Sequence, residues 1–117
     1  MKRILLVDDD TRIQQLLKLE FEDEGYHVLL ASNGKEALSI LVNTLEKPDL
    51  VILDLRMPKM SGFDAFIYMS KINTKMPVVI YTAYGSYKND QSLKAAHAYI
   101  VKSSDISELK KKVRELL

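Results

Sequence analysis

The sequence predicts an α/β fold, an open and doubly wound parallel sheet with helices on both faces. Short apolar runs alternate with helical patterns along the whole chain. Most of the runs are continuous instead of alternating with polar residues, as strands buried on both faces are. The segments between the runs carry apolar residues at helical spacing. Five such units in series imply parallel strands joined by crossover helices.

The elements follow in order. Ile4–Val7 is the first apolar run, and Asp8, Asp9 and Asp10 follow it at once. Ile13, Leu16, Leu17 and Phe21 fall at i, i+3, i+4 and i+8, the stripe of a first helix, and Gly25 is placed to end it. Tyr26–Leu30 is the second run. Asn33 and Glu36 have the spacing of a capping box ahead of a stripe at Ala37, Leu38, Leu41 and Leu45. Pro48 precedes the third run, Leu50–Leu53, and Pro77 the fourth, Val78–Tyr81, where a missing N–H costs little. Ser61 is placed to cap a third helix, and Gly62 to relieve a crowded loop-to-helix junction. Ser86–Ala96 has little apolar content beyond Leu93, Ala95 and Ala96, which predicts a fourth helix with a thin buried face and more than average mobility. Ala98–Val101 is the fifth run. Asp105 and Glu108 repeat the capping-box spacing before Ile106, Leu109, Val113 and Leu116, the stripe of a last helix.

The 117 residues fit one domain, residues 1–117, large enough to bury a core without covalent staples. The absence of cysteine excludes disulfides and thiolate metal sites. No apolar stretch approaches membrane-spanning length, and the N-terminal one is far too short for a signal peptide. A soluble, cytoplasmic protein is expected. With 17 Lys and Arg against 16 Asp and Glu, charge gives no reason to expect nucleic acid or an anionic membrane as a direct partner.

In open parallel sheets, ligands bind at the carboxyl ends of the strands, where strand order reverses. Strand 1 ends in Asp8 and Asp9, strand 3 in Asp54, strand 4 in Thr82 and strand 5 in Lys102. Each has a plain structural reading: a solvated turn, a cap, a β-branched strand residue, a surface lysine. Together, they put polar groups on four strands of five at the same end. Clustered carboxylates without His or Cys make a hard-oxygen site suited to Mg²⁺. Three acids would be neutralised by one divalent cation and a lysine. A carboxylate in that setting can act as nucleophile toward a phosphoryl group, with the metal, Lys and Thr binding its oxygens.

The motifs VDDD at Val7–Asp10, LDLRMPKMSG at Leu53–Gly62, TA at Thr82–Ala83 and YIVK at Tyr99–Lys102 resemble the receiver domain of bacterial two-component response regulators. The resemblance covers essentially the whole chain. It implies a flavodoxin-like (βα)5 sandwich with a five-stranded parallel sheet of order 2-1-3-4-5. Asp54 matches the aspartate that accepts phosphate from a sensor histidine kinase or histidine phosphotransfer protein. Asp8 and Asp9 match the pair that holds Mg²⁺, Asp9 more directly, and the backbone carbonyl of Arg56 matches a further ligand. Thr82 and Lys102 match the hydroxyl and ammonium that meet the phosphoryl group, and Tyr99 the aromatic that moves with activation. The face of fourth helix, fifth strand and fifth helix would pass the signal to an output partner or a fused effector domain. Such a domain is no turnover enzyme and catalyses only its own phosphorylation and dephosphorylation.

This chain departs from the pattern in two places: His97 stands two before Tyr99, where a small residue such as glycine is common, and a serine follows Lys102. Ser103 stands where the family usually has a proline after the lysine, in a bond that is typically cis. A cis bond before a non-proline residue costs about 2.5–4 kcal/mol against about 0.5–1 before proline. Lys102–Ser103 is therefore expected to be trans with a reshaped loop, or cis under strain. Arg56 and Tyr84 flank the site, each two residues past a site residue, and are expected to tune dephosphorylation through the attacking water. Three other functions compete. A phosphate-independent pseudo-receiver, acting as an interaction module, would not need the full acid set. An aspartyl-phosphate phosphatase would want an acid at position 56. A flavodoxin-like electron carrier would want Ser, Thr and Gly in the loop that here holds three acids. By sequence alone, Asp10 belongs to the start of the first helix, as cap or neighbour of a capping Thr11, and not to the metal site.

Overall fold

The computed structural model describes residues 1–43, 45, 47–57, 59–72 and 75–117. Its elements are β1 (Arg3–Val7), α1 (Thr11–Asp23), β2 (His27–Ala31), α2 (Gly34–Asn43), β3 (Leu50–Leu53), α3 (Gly62–Ile72), β4 (Val78–Thr82), β5 (Ala98–Val101) and α4 (Ser107–Leu116), with two short 3₁₀ turns, Gly85–Tyr87 and Gln91–Leu93, between β4 and β5. The strands form one sheet of order β2-β1-β3-β4-β5, and every pairing is parallel.

The continuous apolar runs are buried on both sides, and the period of two sorts them. Ile4, Leu6, Leu50, Ile52, Val79 and Tyr81 face α1 and α4, meeting Leu17, Phe21, Leu109 and Val113. Leu5, Val7, Val51, Leu53, Val78 and Ile80 face α2 and α3, meeting Ala37, Leu41, Phe66 and Met69.

The helix ends follow their local chemistry. Asp10 caps α1 by accepting from the N–H of Arg12. At the other end Gly25 adopts φ +95°, and the N–H groups of Gly25 and Tyr26 donate to the carbonyls of Glu22 and Phe21, a Schellman arrangement. The Asn33 side chain accepts from the Glu36 N–H, while Glu36 reaches back to the N–H of Ser32. Ser61 caps α3 through the N–H of Asp64.

Several expectations need correction. Ser86–Ala96 is not a helix: Asp90 caps the second 3₁₀ turn through Ser92 N–H, and Leu93 alone is buried. An 11-residue helix there would have had too little apolar surface to hold it against the sheet. Asp105 binds the N–H of Ser107, two residues on, so the box with Glu108 does not form. Leu16 is half exposed, and the buried stripe of α1 is Gln14, Leu17 and Phe21. Leu45 lies beyond the end of α2 and is exposed. Among the described residues there is no cis peptide bond, so Lys102–Ser103 is trans, the first of the two expected forms. Lys110 pairs with Glu20 and Glu24 and ties α4 to α1. Pro58, in the stretch that follows Asp54, lies outside the described residues.

Candidate functional site

The sheet register brings the polar strand ends together. Val7 pairs with Leu53, so Asp8 and Asp54 stand side by side one residue later, where the strand order turns back between β1 and β3. Thr82 pairs with Val101, so Thr82 and Lys102 close the same row. The backbone carries each strand one step past its ladder. Asp8 N–H donates to Ala31, Asp54 N–H to Val7 and Lys102 N–H to Thr82, at 3.0, 3.0 and 2.7 Å.

The Lys102 ammonium donates to Asp8 Oδ2 at 2.6 Å and to Asp54 Oδ2 at 3.1 Å. The remaining oxygens are held by backbone: Asp8 Oδ1 accepts from Asp10 N–H at 2.9 Å, and Asp54 Oδ1 from Leu55 N–H at 2.7 Å. Asp8 and Asp54 are buried and Asp9 is exposed. Burial pushes the Asp8 carboxyl above the ordinary carboxylate range, against the opposing pull of Lys102 and the Asp10 N–H. Burial alone would lower Lys102, but the hydrogen bond to Asp8 and the charges of Asp54 and Asp8 outweigh it and raise the ammonium's pKa. The site thus sets two buried carboxyl groups against one partly buried ammonium.

Carboxylate oxygens of Asp8, Asp9 and Asp54 lie within 4.8 Å of one another. All are hard oxygens, and one of the three carboxylates opens to solvent, which fits Mg²⁺ with its retained waters better than a softer metal. Asp10 is outside this set, in line with its role as helix cap.

The loop after β3 is shaped by close approach. A Cβ on Gly62 would sit 2.0 Å from the Asp54 carbonyl oxygen and 2.6 Å from Leu55 Cα, so only glycine fits there. Gly62 N–H donates to the Leu55 carbonyl, folding the loop back against the site, and Lys59 in this loop takes a left-handed φ of 65°.

Thr82 is fully buried, and its hydroxyl accepts a long bond, 3.5 Å, from Tyr84 N–H. The Tyr99 hydroxyl donates to the Tyr84 carbonyl, which links the predicted switch aromatic to the loop after Thr82. Arg56 and Tyr84 touch: the guanidinium lies 5.2 Å from the Tyr84 ring centre and donates to the Tyr87 hydroxyl at 3.0 Å. Tyr87 in turn meets Phe63 edge-on at 5.0 Å. Tyr87 drew no notice in the sequence, where it is one tyrosine of six in a polar stretch.

Gln14 was also missed. It is buried, and its side-chain NH₂ donates to the carbonyl of Asp8 at 2.5 Å and that of Ala31 at 3.2 Å. The signal was present: Gln14 stands at i, i+3, i+7 with Leu17 and Phe21, and a polar residue on a buried stripe needs a reason.

Comparison with known proteins agrees with this geometry. Residues 4–114 match the family model described as response regulator receiver domain. Sporulation initiation phosphotransferase F of Bacillus subtilis is 39% identical over 118 residues, covering 99% of this chain and 94% of that protein. Transcriptional regulatory protein GlrR of Escherichia coli is 48% identical over 83 residues, 71% of this chain but 18% of that longer protein. Among solved structures, response regulator protein TrrA of Thermotoga maritima, in complex with Mg(2+)-BeF, superposes with a TM-score of 0.94 at 44% identity, each chain covered in full. A complex of histidine kinase ThkA with TrrA matches with a TM-score of 0.90, covering 100% of this chain and 99% of that one. With the fold, the strand-end row and these matches in agreement, the chain belongs to the response regulator receiver domain family, the signalling domains of two-component systems.

Proposed function

We propose that residues 1–117 form one receiver domain that accepts a phosphoryl group on Asp54 from a sensor histidine kinase or a histidine phosphotransfer protein. The observation that carries this reading is the partly buried Asp8–Lys102–Asp54 bridge with Asp9 at its open side. Asp8, Asp9, Asp54 and the backbone carbonyl of Arg56 would hold Mg²⁺. When bound, the cation supplies positive charge that offsets the acids and orients phosphoryl oxygens. An Asp54 carboxylate oxygen forms a bond to phosphorus as the bond from phosphorus to the donor nitrogen breaks. Lys102 already lies on Asp54 and exchanges that contact for a phosphoryl oxygen. The Thr82 hydroxyl, held by one long bond, is free to turn toward the new charge. Its neighbour Tyr84 shifts with it, and the Tyr99 hydroxyl loses its carbonyl acceptor. The signal leaves by the 3₁₀ turns, β5 and α4, toward an output partner or a fused effector domain. Water attack at phosphorus returns Asp54 and inorganic phosphate, so the domain acts only on itself.

The TrrA complexes with Mg(2+)-BeF and with ThkA support the metal and the donor class. No described helix is long and apolar enough to cross a membrane, and the near balance of charges favours protein partners over nucleic acid, in keeping with a cytoplasmic role. The pseudo-receiver reading loses to the complete acid set, and the phosphatase reading to Arg56, which turns to the tyrosines instead of offering an acid.

Intact mass measured after mixing the protein with Mg²⁺ and a small acyl phosphate tests the proposal. One phosphate-sized addition is expected, absent with a chelator and absent in Asp54→Ala. No addition to the wild type from small donors or from a panel of purified histidine kinases would reject it.

A further inference from the structure

Gln14 is a buried amide on α1 that no step of the phosphoryl chemistry uses. Its NH₂ has three oxygen neighbours: the carbonyls of Asp8 and Ala31 and, at 3.3 Å, the Ser32 hydroxyl. The two carbonyls can only accept, so the NH₂ end must face them. The Asp8 carbonyl belongs to the peptide that joins Asp8 to Asp9, just past the last ladder bond of β1. The Asp8 side chain is fixed by Lys102 and by Asp10 N–H. Among the described residues nothing anchors Asp9 in this way: its carboxylate is exposed, and its direction follows from the plane of the peptide before it.

We infer that Gln14 is a positioning residue for divalent-cation binding, fixing the Asp8–Asp9 peptide so that the Asp9 carboxylate is aimed at Asp8 and Asp54 before the ion arrives. This rests on the receiver reading of the site. The same amide ties the end of β1 to the end of β2 through Ala31, whose carbonyl also takes the Asp8 N–H, so α1 is locked to both strands at the level of the acids. Groups that orient metal ligands without touching the metal are worth about 10–100-fold in affinity. Gln14→Met keeps the length and burial of the side chain and removes the donor.

The test is Mg²⁺ titration of the wild type, Gln14→Met and Gln14→Arg, followed by protein NMR, with melting in chelator as the check on folding. The expected result is a dissociation constant raised about tenfold or more in Gln14→Met, with recovery toward wild type in Gln14→Arg, which restores a donor. In the wild type the Gln14 side-chain NH₂ signals should shift on adding Mg²⁺, while those of exposed Gln15 stay in place. Wild-type affinity in a folded Gln14→Met protein would overturn the inference and leave a purely structural residue. Should that variant not fold, Gln14 signals that move no more than those of Gln15 would overturn it equally. Failure of the wild type itself to bind Mg²⁺ would strike the receiver reading instead.

Discussion

At Asp10 the carboxylate turns to the N–H of Arg12, while two residues earlier Asp8 turns inward to Lys102, so the run of three acids serves two purposes. The hydrogen bond from Arg12 N–H holds the Asp10 carboxyl below its ordinary range. A depressed folded value means that its stabilisation is present above the unfolded pKa and is lost as pH falls through the folded one. Asp10→Ala should therefore melt below wild type at pH 7, with the deficit closing in acid below about pH 4, and should bind Mg²⁺ as wild type does. Titration and melting curves check both halves, and a large loss of Mg²⁺ affinity would place Asp10 in the metal site. Arg56 and Tyr84, expected to tune dephosphorylation through the attacking water, form one cation–aromatic pair over the loop. Arg56→Asn and Tyr84→Ala should then change the acyl-phosphate lifetime in the same direction, and the double variant should add little. Additive or null effects on the decay of the phosphorylated mass would remove the pair from the hydrolysis step.

Elements of this chain were readable where local chemistry and periodicity point the same way. The continuous runs gave five strands to within a residue or so, and the caps at Asn33, Ser61 and Gly25 were visible as single letters. The segment between β4 and β5 was not readable because tertiary contacts decide it. Tyr87 is held by Arg56 and Phe63, and Asp90 diverts the chain into a turn. Gln14 escaped because a polar letter hides in an apolar pattern; its partners come from the ends of two strands. Glycine shows the same contrast. Gly25 needs only its positive φ, since a Cβ there would meet nothing within 4 Å. Gly25→Ala should cost about 1 kcal/mol and leave phosphorylation intact. Gly62→Ala would drive a methyl into the Asp54 backbone, costing about 1–3 kcal/mol and slowing phosphate uptake. Denaturant midpoints and the rate of mass gain separate the two; equal uptake by both would show that the Asp54 loop tolerates displacement.

Over the whole molecule, function and stability pull against each other at the carboxyl ends of the strands. The folded Asp8 pKa is raised, chiefly by burial, so its favourable contribution is complete only below the unfolded value and is lost as pH rises through the folded one. At neutral pH the ionised, buried Asp8 costs stability. Lys102, also raised, keeps its stabilising charge until alkaline pH. Without metal at pH 7, Asp8→Asn should therefore melt above wild type, with the gap narrowing toward acid. Saturating Mg²⁺ should close the gap from the other side, because only the wild type gains from binding. A lower melting point for Asp8→Asn in chelator would show that the bridge to Lys102 outweighs burial. The sheet order that gathers these groups was legible from the strand ends once the motifs were recognised, and the register of β1 with β3 makes Asp54 the acid at the centre of the row. The most direct measurement of that claim is to phosphorylate the protein with a small acyl phosphate, reduce the product with borohydride and sequence its peptides by mass. An acyl phosphate on aspartate becomes homoserine, and the account predicts homoserine at position 54 alone. Homoserine at position 8 or 9, or at none of the three, would contradict it.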